Sequence, residues 1–251
     1  MLLVDSLISR GWLKTPHIIE AFRKIKRVDF LPDDIKNLAE LDEALPIGFG
    51  QTISQPLTVA FMLELLQPQP GDKILDIGSG SGWTTALLAE IVSQDNQAQS
   101  APVAERSSLR GSPEVNFVLL RGAKRKAQNN SAKLKTPNGK VIGIEIVPEL
   151  AEFGRKNVAK YGFLEKGIAE IVCADGSKSV ARPEFTEGFD RILASASIGN
   201  GELPRAWKDQ LKTGGRIVTP IGNSIWLIIK ESDKDFKEQE FPGFVFVPLV
   251  Q

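Results

Sequence analysis

The stretch LDIGSGSGW, residues 75–83, constrains this chain more than any other. It follows a short apolar run, KILDI, and opens into TTALLAEIV, whose apolar residues recur at helical spacing. Glycines between a strand and a helix let the backbone turn sharply and approach a ligand closely. The helix behind them presents unpaired N–H groups and the positive end of its dipole. Gly78, Gly80 and Gly82 stand in GxGxG spacing, not the GxGxxG of dinucleotide loops, and no GK[ST] follows to make a nucleotide phosphate loop.

The text on either side repeats the strand–helix alternation. VIGIEI, AEIVCADG and FDRILAS read as further strands. PELAEFGRKNVAKYG reads as a helix with Pro148 in its first turn and Gly162 past its end, and LPRAWKDQLKTGG as another closed by glycines. GRIVTPIG, SIWLIIKE and FVFVPLV complete a set of seven strands. Nearly continuous apolar strands alternating with helices predict an α/β fold with a mostly parallel sheet. The last two strands have no helix between them, which predicts an antiparallel edge. The first 45 residues read as short helices, followed by a glycine-rich bend, IGFGQTISQP, and a helix that starts at Pro56. The chain is therefore expected to be one domain over 1–251, with residues 1–56 forming an N-terminal helical cap and substrate loop.

Residues 94–138 do not fit this alternation. They are rich in Gln, Asn, Ser, Ala, Lys and Arg and carry a net of about five positive charges, which predicts a mobile basic insertion. VNFVLL at 115–120 is a candidate extra strand within it. A basic contact surface for nucleic acid or acidic partners is the sharper alternative. Over the whole chain 31 basic residues balance 31 acidic ones, so global charge points to neither nucleic acid nor membrane. One cysteine, Cys173, and one histidine, His17, exclude a disulfide framework, a Cys-rich zinc site and multi-His metal chemistry, so no metal is expected. No apolar run is long enough for a membrane span, and the start does not read as a signal peptide; a cytoplasmic protein is expected. Cys173 and the tryptophans Trp207 and Trp226 read as packing residues, Cys173 buried in its strand. His17 reads as a surface or packing residue.

Three acidic residues end successive strands: Asp76, Glu145 and Asp175. A carboxylate at the second position can accept both hydroxyls of a ribose, and one at the third can accept from an adenine amino group. Glu145 lies 63 residues after Gly82, but setting 94–138 aside leaves 18, close to the ~20 expected between such a loop and its acidic partner. With these residues the chain resembles the class I S-adenosylmethionine-dependent methyltransferases. That resemblance implies a Rossmann-like sheet and assigns Asp76, Gly78, Ser79, Gly80, Gly82, Glu145, Ile146, Asp175 and Gly176 to the cofactor, with S-adenosylhomocysteine as product. Trp83, beside the loop, is a further candidate for cofactor contact.

A second motif lies upstream, LPIGFGQTISQPLTVAFMLELL. Its Gly48, Gly50, Gln51, Thr52, Ile53, Ser54, Pro56, Val59, Ala60 and Met62 resemble the signature of protein-L-isoaspartate O-methyltransferases. RVDFLP before it and LPRAWKDQLKTGGRIVTPIG and FVFVPLV after it are similar too. Thr52 and Ser54 precede the helix at Pro56, where hydroxyls and free N–H groups are expected to make an anion site. The resemblance implies methyl transfer to the free α-carboxyl of isoaspartyl residues in damaged proteins, a repair reaction, by a monomer. It makes Ser54 the active-site residue, with Gln51, Thr52 and Ile53 beside it at the substrate. An α-carboxylate has a pKa near 3.5, so it is ionised at neutral pH and needs no general base. The chain departs from the family at ASASIGNGELP, 194–204, where the family commonly has a run near TAAxxxIP, mildly at GSGSGW for GTGSGY, and most of all in the insertion 94–138; the altered 194–204 loop and the basic insertion keep rivals open. The rivals are a methyltransferase of the same fold with another acceptor, and a non-catalytic relative that binds the cofactor.

Overall fold

A computed structural model describes residues 2–94, 139–198 and 201–249. The N-terminal part holds α1 (Leu3–Ser9), α2 (Pro16–Lys24), two 3₁₀ turns, and a hairpin of β1 (Leu45–Gly48) and β2 (Gln51–Ile53). α3 (Pro56–Leu66) leads into β3 (Lys73–Ile77) and α4 (Trp83–Val92). After them come β4 (Lys140–Glu145), α5 (Pro148–Ala159), β5 (Ala169–Cys173), β6 (Phe189–Ala194), α6 (Arg205–Gln210), β7 (Leu211–Ile221), β8 (Ser224–Lys230) and β9 (Phe236–Pro242).

β3 to β9 form one seven-stranded sheet in the order β5-β4-β3-β6-β7-β8-β9. β5, β4, β3, β6 and β7 run parallel, and β8 and β9 close the edge antiparallel. The α/β class, the seven strands and the antiparallel edge agree with expectation. The sheet is covered on both faces, so its central strands must be apolar on both sides. Ile74 packs with Val141, Leu87 and Leu63 on one face, while its neighbour Leu75 packs with Ile142, Ile192 and Trp207 on the other. The chain leaves β3 toward β4 on one side and later places β6 on its other side. That reversal opens a crevice at the carboxyl end of β3.

Four local expectations are corrected. The glycine-rich bend is a hairpin, whose turn carries Gly48, Phe49 and Gly50 all at positive φ. The helix expected through LKTGG stops at Gln210, and Leu211–Gly215 enters β7 through a register shift opposite β6. FVFVPLV is not the seventh strand. That place belongs to the charged segment Phe236–Pro242, and residues 244–249 run as an extended strap, joined to the rest by a bridge from Ser197 to Pro248 and by Phe244, which donates its N–H to the Asn223 carbonyl and stacks on Phe61. An edge strand is half solvated, so charge there is tolerated and discourages pairing with other chains, which is why apolarity misplaced it. Cys173 is exposed rather than buried, because it is the last residue of β5 and emerges at the strand's open end. Trp207 is fully buried and Trp226 half-buried, as expected, and His17 is half-buried against the Pro68 carbonyl. Of the segment 94–138, residues 95–138, including VNFVLL, lie outside the described residues. Its two described ends meet: a Cβ on Gly139 would stand 2.5 Å from the Val92 carbonyl oxygen.

Candidate active site

The crevice at the end of β3 holds a cavity of about 420 Å³. One wall is the glycine loop. Gly78 and Ser79 both donate from their backbone to the Ile144 carbonyl, at 2.8 and 3.0 Å, which fixes the loop onto the end of β4. Gly78, Gly80 and Gly82 all have positive φ, a conformation that costs other residues strain. Gly82 caps α4 and sits hard against α5: a Cβ there would lie 2.8 Å from Val158 Cγ2 and 2.9 Å from the Gly154 carbonyl oxygen. Gly154 answers from the α5 side, where a Cβ would meet the Gly80 carbonyl oxygen at 2.8 Å. The loop is thus seated on a glycine contact between helix and turn.

Glu145, at the end of β4, is buried and lines the cavity. One carboxylate oxygen accepts from the Gly80 N–H at 2.8 Å and the other from the Val147 N–H at 3.0 Å. Two backbone donors therefore hold it in one orientation, with acceptor capacity remaining on both oxygens. Asp76 lies beneath the loop and does not line the cavity. It is fully buried; Thr84 and Thr85 donate their hydroxyls to one oxygen at 2.8 and 2.6 Å, and the other oxygen has no partner. Burial, helped by the charge of Glu145 and opposed by the two hydroxyls, pushes its carboxyl up to about 6. Ser79 also keeps a buried hydroxyl without a partner, on the cavity wall.

The structure brings Gln51, Thr52, Ile53, Ser54, Gly78, Ser79, Gly80, Glu145, Ile146 and Gly176 to one cavity. Gly82 stands behind it, and Asp175 lies outside its lining. The Asp175 carboxylate turns back to accept from the Ser177 N–H and hydroxyl at 2.9 and 2.7 Å, which holds its carboxyl below the usual range. Both bonds fall on one carboxylate oxygen, and Ser177 leaves the other free. Trp83 does line the cavity.

The opposite wall is the β1–β2 hairpin and the residues after it. Among the described residues, the Ser54 hydroxyl has no hydrogen-bond partner. Two of the N–H groups expected free at the mouth of α3 are not: Pro56 has none, and Leu57 donates to the Asp42 carboxylate at 2.8 Å. The helix end is already occupied by an acid. The cation at this wall is Arg27, which the sequence reading passed over. Arg27 is 6% exposed, and its guanidinium donates to the carbonyls of Ala39, Leu41, Glu43 and Ser54 at 3.3, 2.8, 2.6 and 3.2 Å. It also lies 5.5 Å over the Trp83 ring. Burial pulls its pKa down to about 10, so it stays charged at neutral pH. Residues 245–249 of the strap form the remaining rim, tied in where the Ser197 N–H donates to the Val247 carbonyl at 2.8 Å and Leu249 returns to the Ser197 carbonyl at 2.7 Å. Alternating apolar residues predict a sheet strand there, and nothing in the pattern marks a cavity rim.

The residues fit a nucleoside-bearing cofactor with a charged tail. Glu145, held by two backbone donors, can accept from diol hydroxyls, and the unsatisfied Ser79 hydroxyl lies on the loop where a polar tail would rest. Among the described residues no group of three or more His, Cys, Asp or Glu side chains could hold a metal, and no helix is long and apolar enough to cross a membrane.

Known proteins resemble this chain in sequence and fold. A family model described as protein-L-isoaspartate(D-aspartate) O-methyltransferase matches residues 1–109 and 130–251. Similar curated proteins include the protein-L-isoaspartate O-methyltransferase of Methanopyrus kandleri, 34% identical over 99% of this chain and 89% of its own length. That of Aeropyrum pernix is also 34% identical, over 99% of this chain and 78% of its own. A Plasmodium falciparum structure, described as a protein-L-isoaspartate O-methyltransferase in complex with S-adenosyl-L-homocysteine, superposes with a TM-score of 0.72 at 22% identity, covering 99% of this chain and 96% of that one. The family model and the curated relatives make the chain a class I S-adenosylmethionine-dependent methyltransferase, and its doubly wound sheet has that fold. Within that class, the chain belongs to the protein-L-isoaspartate(D-aspartate) O-methyltransferase family.

Proposed function

We propose that this protein transfers a methyl group from S-adenosylmethionine to the free α-carboxyl of isoaspartyl residues in damaged proteins. The observation that carries the reading is the cavity itself, where the cofactor-type wall of Gly78–Gly80 and Glu145 faces the family motif Gln51–Ser54 across one space. S-adenosylmethionine supplies, when bound, a methyl on a sulfonium that an oxygen nucleophile can take by in-line displacement. Glu145 is proposed to accept from the ribose hydroxyls, with Ile146 and Gly176 flanking the base and Ser79, Gly78 and Gly80 around the amino-acid tail. Asp76 and Gly82 act from behind by shaping the loop, and Asp175 is proposed to reach the adenine with the carboxylate oxygen that Ser177 leaves free.

The acceptor carboxylate is already ionised, so the protein needs no base to activate it. Its task is orientation, which can supply ~7–11 kcal/mol when two reactants are held in a near-attack geometry. The unpartnered Ser54 hydroxyl is suited to donate to one carboxylate oxygen and leave the other toward the methyl. Gln51, Thr52 and Ile53 form the hairpin edge beside which the peptide would pass. Because the cavity is lined by one chain, a monomer suffices. A lone exposed thiol, Cys173, fits the reducing cytoplasm.

The rival reading, transfer to another acceptor, differs in the bond made. A carboxyl methyl ester hydrolyses in mild base and releases its label as methanol, whereas methyl groups on nitrogen or on a ring do not. The proposal expects nearly all transferred label to be base-labile. Base-stable label would overturn it.

A further inference from the structure

We infer that Arg27 is a positioning residue that makes the cavity select an ionised carboxylate, by holding the Ser54 backbone and placing a buried positive charge behind the Ser54–Trp83 wall. This rests on the acceptor proposed above and goes beyond it by naming what distinguishes the charged acceptor from a neutral one.

A guanidinium taken out of water normally keeps a carboxylate partner, since an uncompensated buried charge is expensive. Arg27 has none: among the described residues no carboxylate lies within ion-pair distance of it. Asp42 and Glu40 are the nearest charges of opposite sign, and both are committed elsewhere. Asp42 caps Leu57 and pairs with Arg10 at 3.5 Å, and Glu40 accepts from the Leu3 N–H at 3.0 Å. The charge of Arg27 is instead solvated by four carbonyls, and among the described residues its Nε has no partner. One of those carbonyls is Ser54's, and the ring beneath the guanidinium is Trp83's; both residues face the cavity. A cation held within one residue's thickness of the wall, in a site shielded from water, favours an anion on the other side of that wall. It does so without an exposed ammonium or guanidinium that a neutral peptide group could also use. The four-way clamp at the same time fixes the turn from Ala39 to Glu43 against Ser54, so the hydroxyl's direction depends on the planar fork as well as on the charge.

The two contributions separate experimentally. With S-adenosylhomocysteine bound, the affinity of an isoaspartyl peptide is compared with that of the same peptide carrying a neutral α-carboxamide at that residue. The wild-type protein is expected to prefer the anion at least about tenfold. Arg27→Gln should cut that preference about fivefold or more while S-adenosylhomocysteine and the neutral peptide bind within about threefold of wild type. Arg27→Lys, which keeps the charge but loses the fork, should keep most of the preference and lower kcat. A purely structural role would weaken the cofactor, the neutral peptide and the anion together in Arg27→Gln; that result, or an unchanged preference, would overturn the inference. Should Arg27→Gln fail to fold, as circular dichroism would show, Arg27→Lys decides alone, and loss of the preference there counts against it. If the wild-type protein methylates no isoaspartyl peptide, the acceptor reading fails first and this inference with it.

Discussion

Asp76 shows what a single buried residue costs and where that cost is felt. Its carboxyl is raised from a usual 3.8 to about 6, chiefly by burial. The folded state therefore holds the proton more tightly than the unfolded chain. Below pH 3.8 the carboxyl is neutral in both states and costs nothing. As pH rises from there to about 6 the fold progressively loses stability, and above 6 the full penalty, about 3 kcal/mol at 1.36 kcal/mol per unit, remains. Asp76→Asn removes the charge and keeps the shape, with Thr84 and Thr85 still able to donate to its oxygen. Urea unfolding at pH 4 and pH 8 should show the variant gaining about 2–3 kcal/mol on wild type between the two; a difference that does not change with pH would contradict the account. At this scale the site was partly legible. Ser54, Glu145 and the loop glycines were marked by motif and by position at strand ends. Arg27 was not, because an arginine in a polar-looking stretch, RVDF, signals a surface until its partners are known. Nor was the engagement of Asp175 by Ser177, a local turn that spacing does not reveal.

The contact between the glycine loop and α5 is a property of elements rather than of residues. Gly154 touches no part of the cavity, but a Cβ there would press on the Gly80 carbonyl and on Ile171 Cδ1 at 3.0 Å. Gly154→Ala should help the helix by its own propensity, by about 1 kcal/mol. It should also displace the loop and weaken S-adenosylhomocysteine binding about tenfold or more. Titration calorimetry checks this, and unchanged affinity would mean that the loop is held from elsewhere. The central strands β4, β3 and β6 were readable because a strand buried on both faces must be apolar throughout. β9 and the strap exchanged roles, since the same apolar alternation in FVFVPLV serves a cavity rim, and charge in FKEQEF marks a solvated edge. Gly154 was overlooked for a related reason: a glycine inside a helical pattern reads as a mild cost until the neighbouring turn is seen.

For the whole molecule, the doubly covered sheet places its cavity at the switch point beside β3, and the N-terminal elements close it from the other side. That arrangement was legible in outline from strand–helix alternation, while the pairing of the hairpin with the glycine loop followed from the motif and not from any periodicity. The family match passes over residues 110–129, and Gly139 returns against Val92, so the chain re-enters the sheet where it left. Closing a loop of any moderate length costs little more than closing a short one. Excising 110–129 should leave the melting temperature within a few degrees and methyl transfer within about twofold. A large loss of either would give that stretch a part in the fold or in the reaction.

The most direct test of the central claim is methyl transfer from labelled S-adenosylmethionine to two peptides that differ only in one residue, isoaspartate in one and normal aspartate in the other. The account predicts label on the isoaspartyl peptide alone and a loss of about a hundredfold or more in kcat/KM with Ser54→Ala, S-adenosylhomocysteine still binding. Equal label on both peptides, or none on either while the cofactor binds, would contradict it.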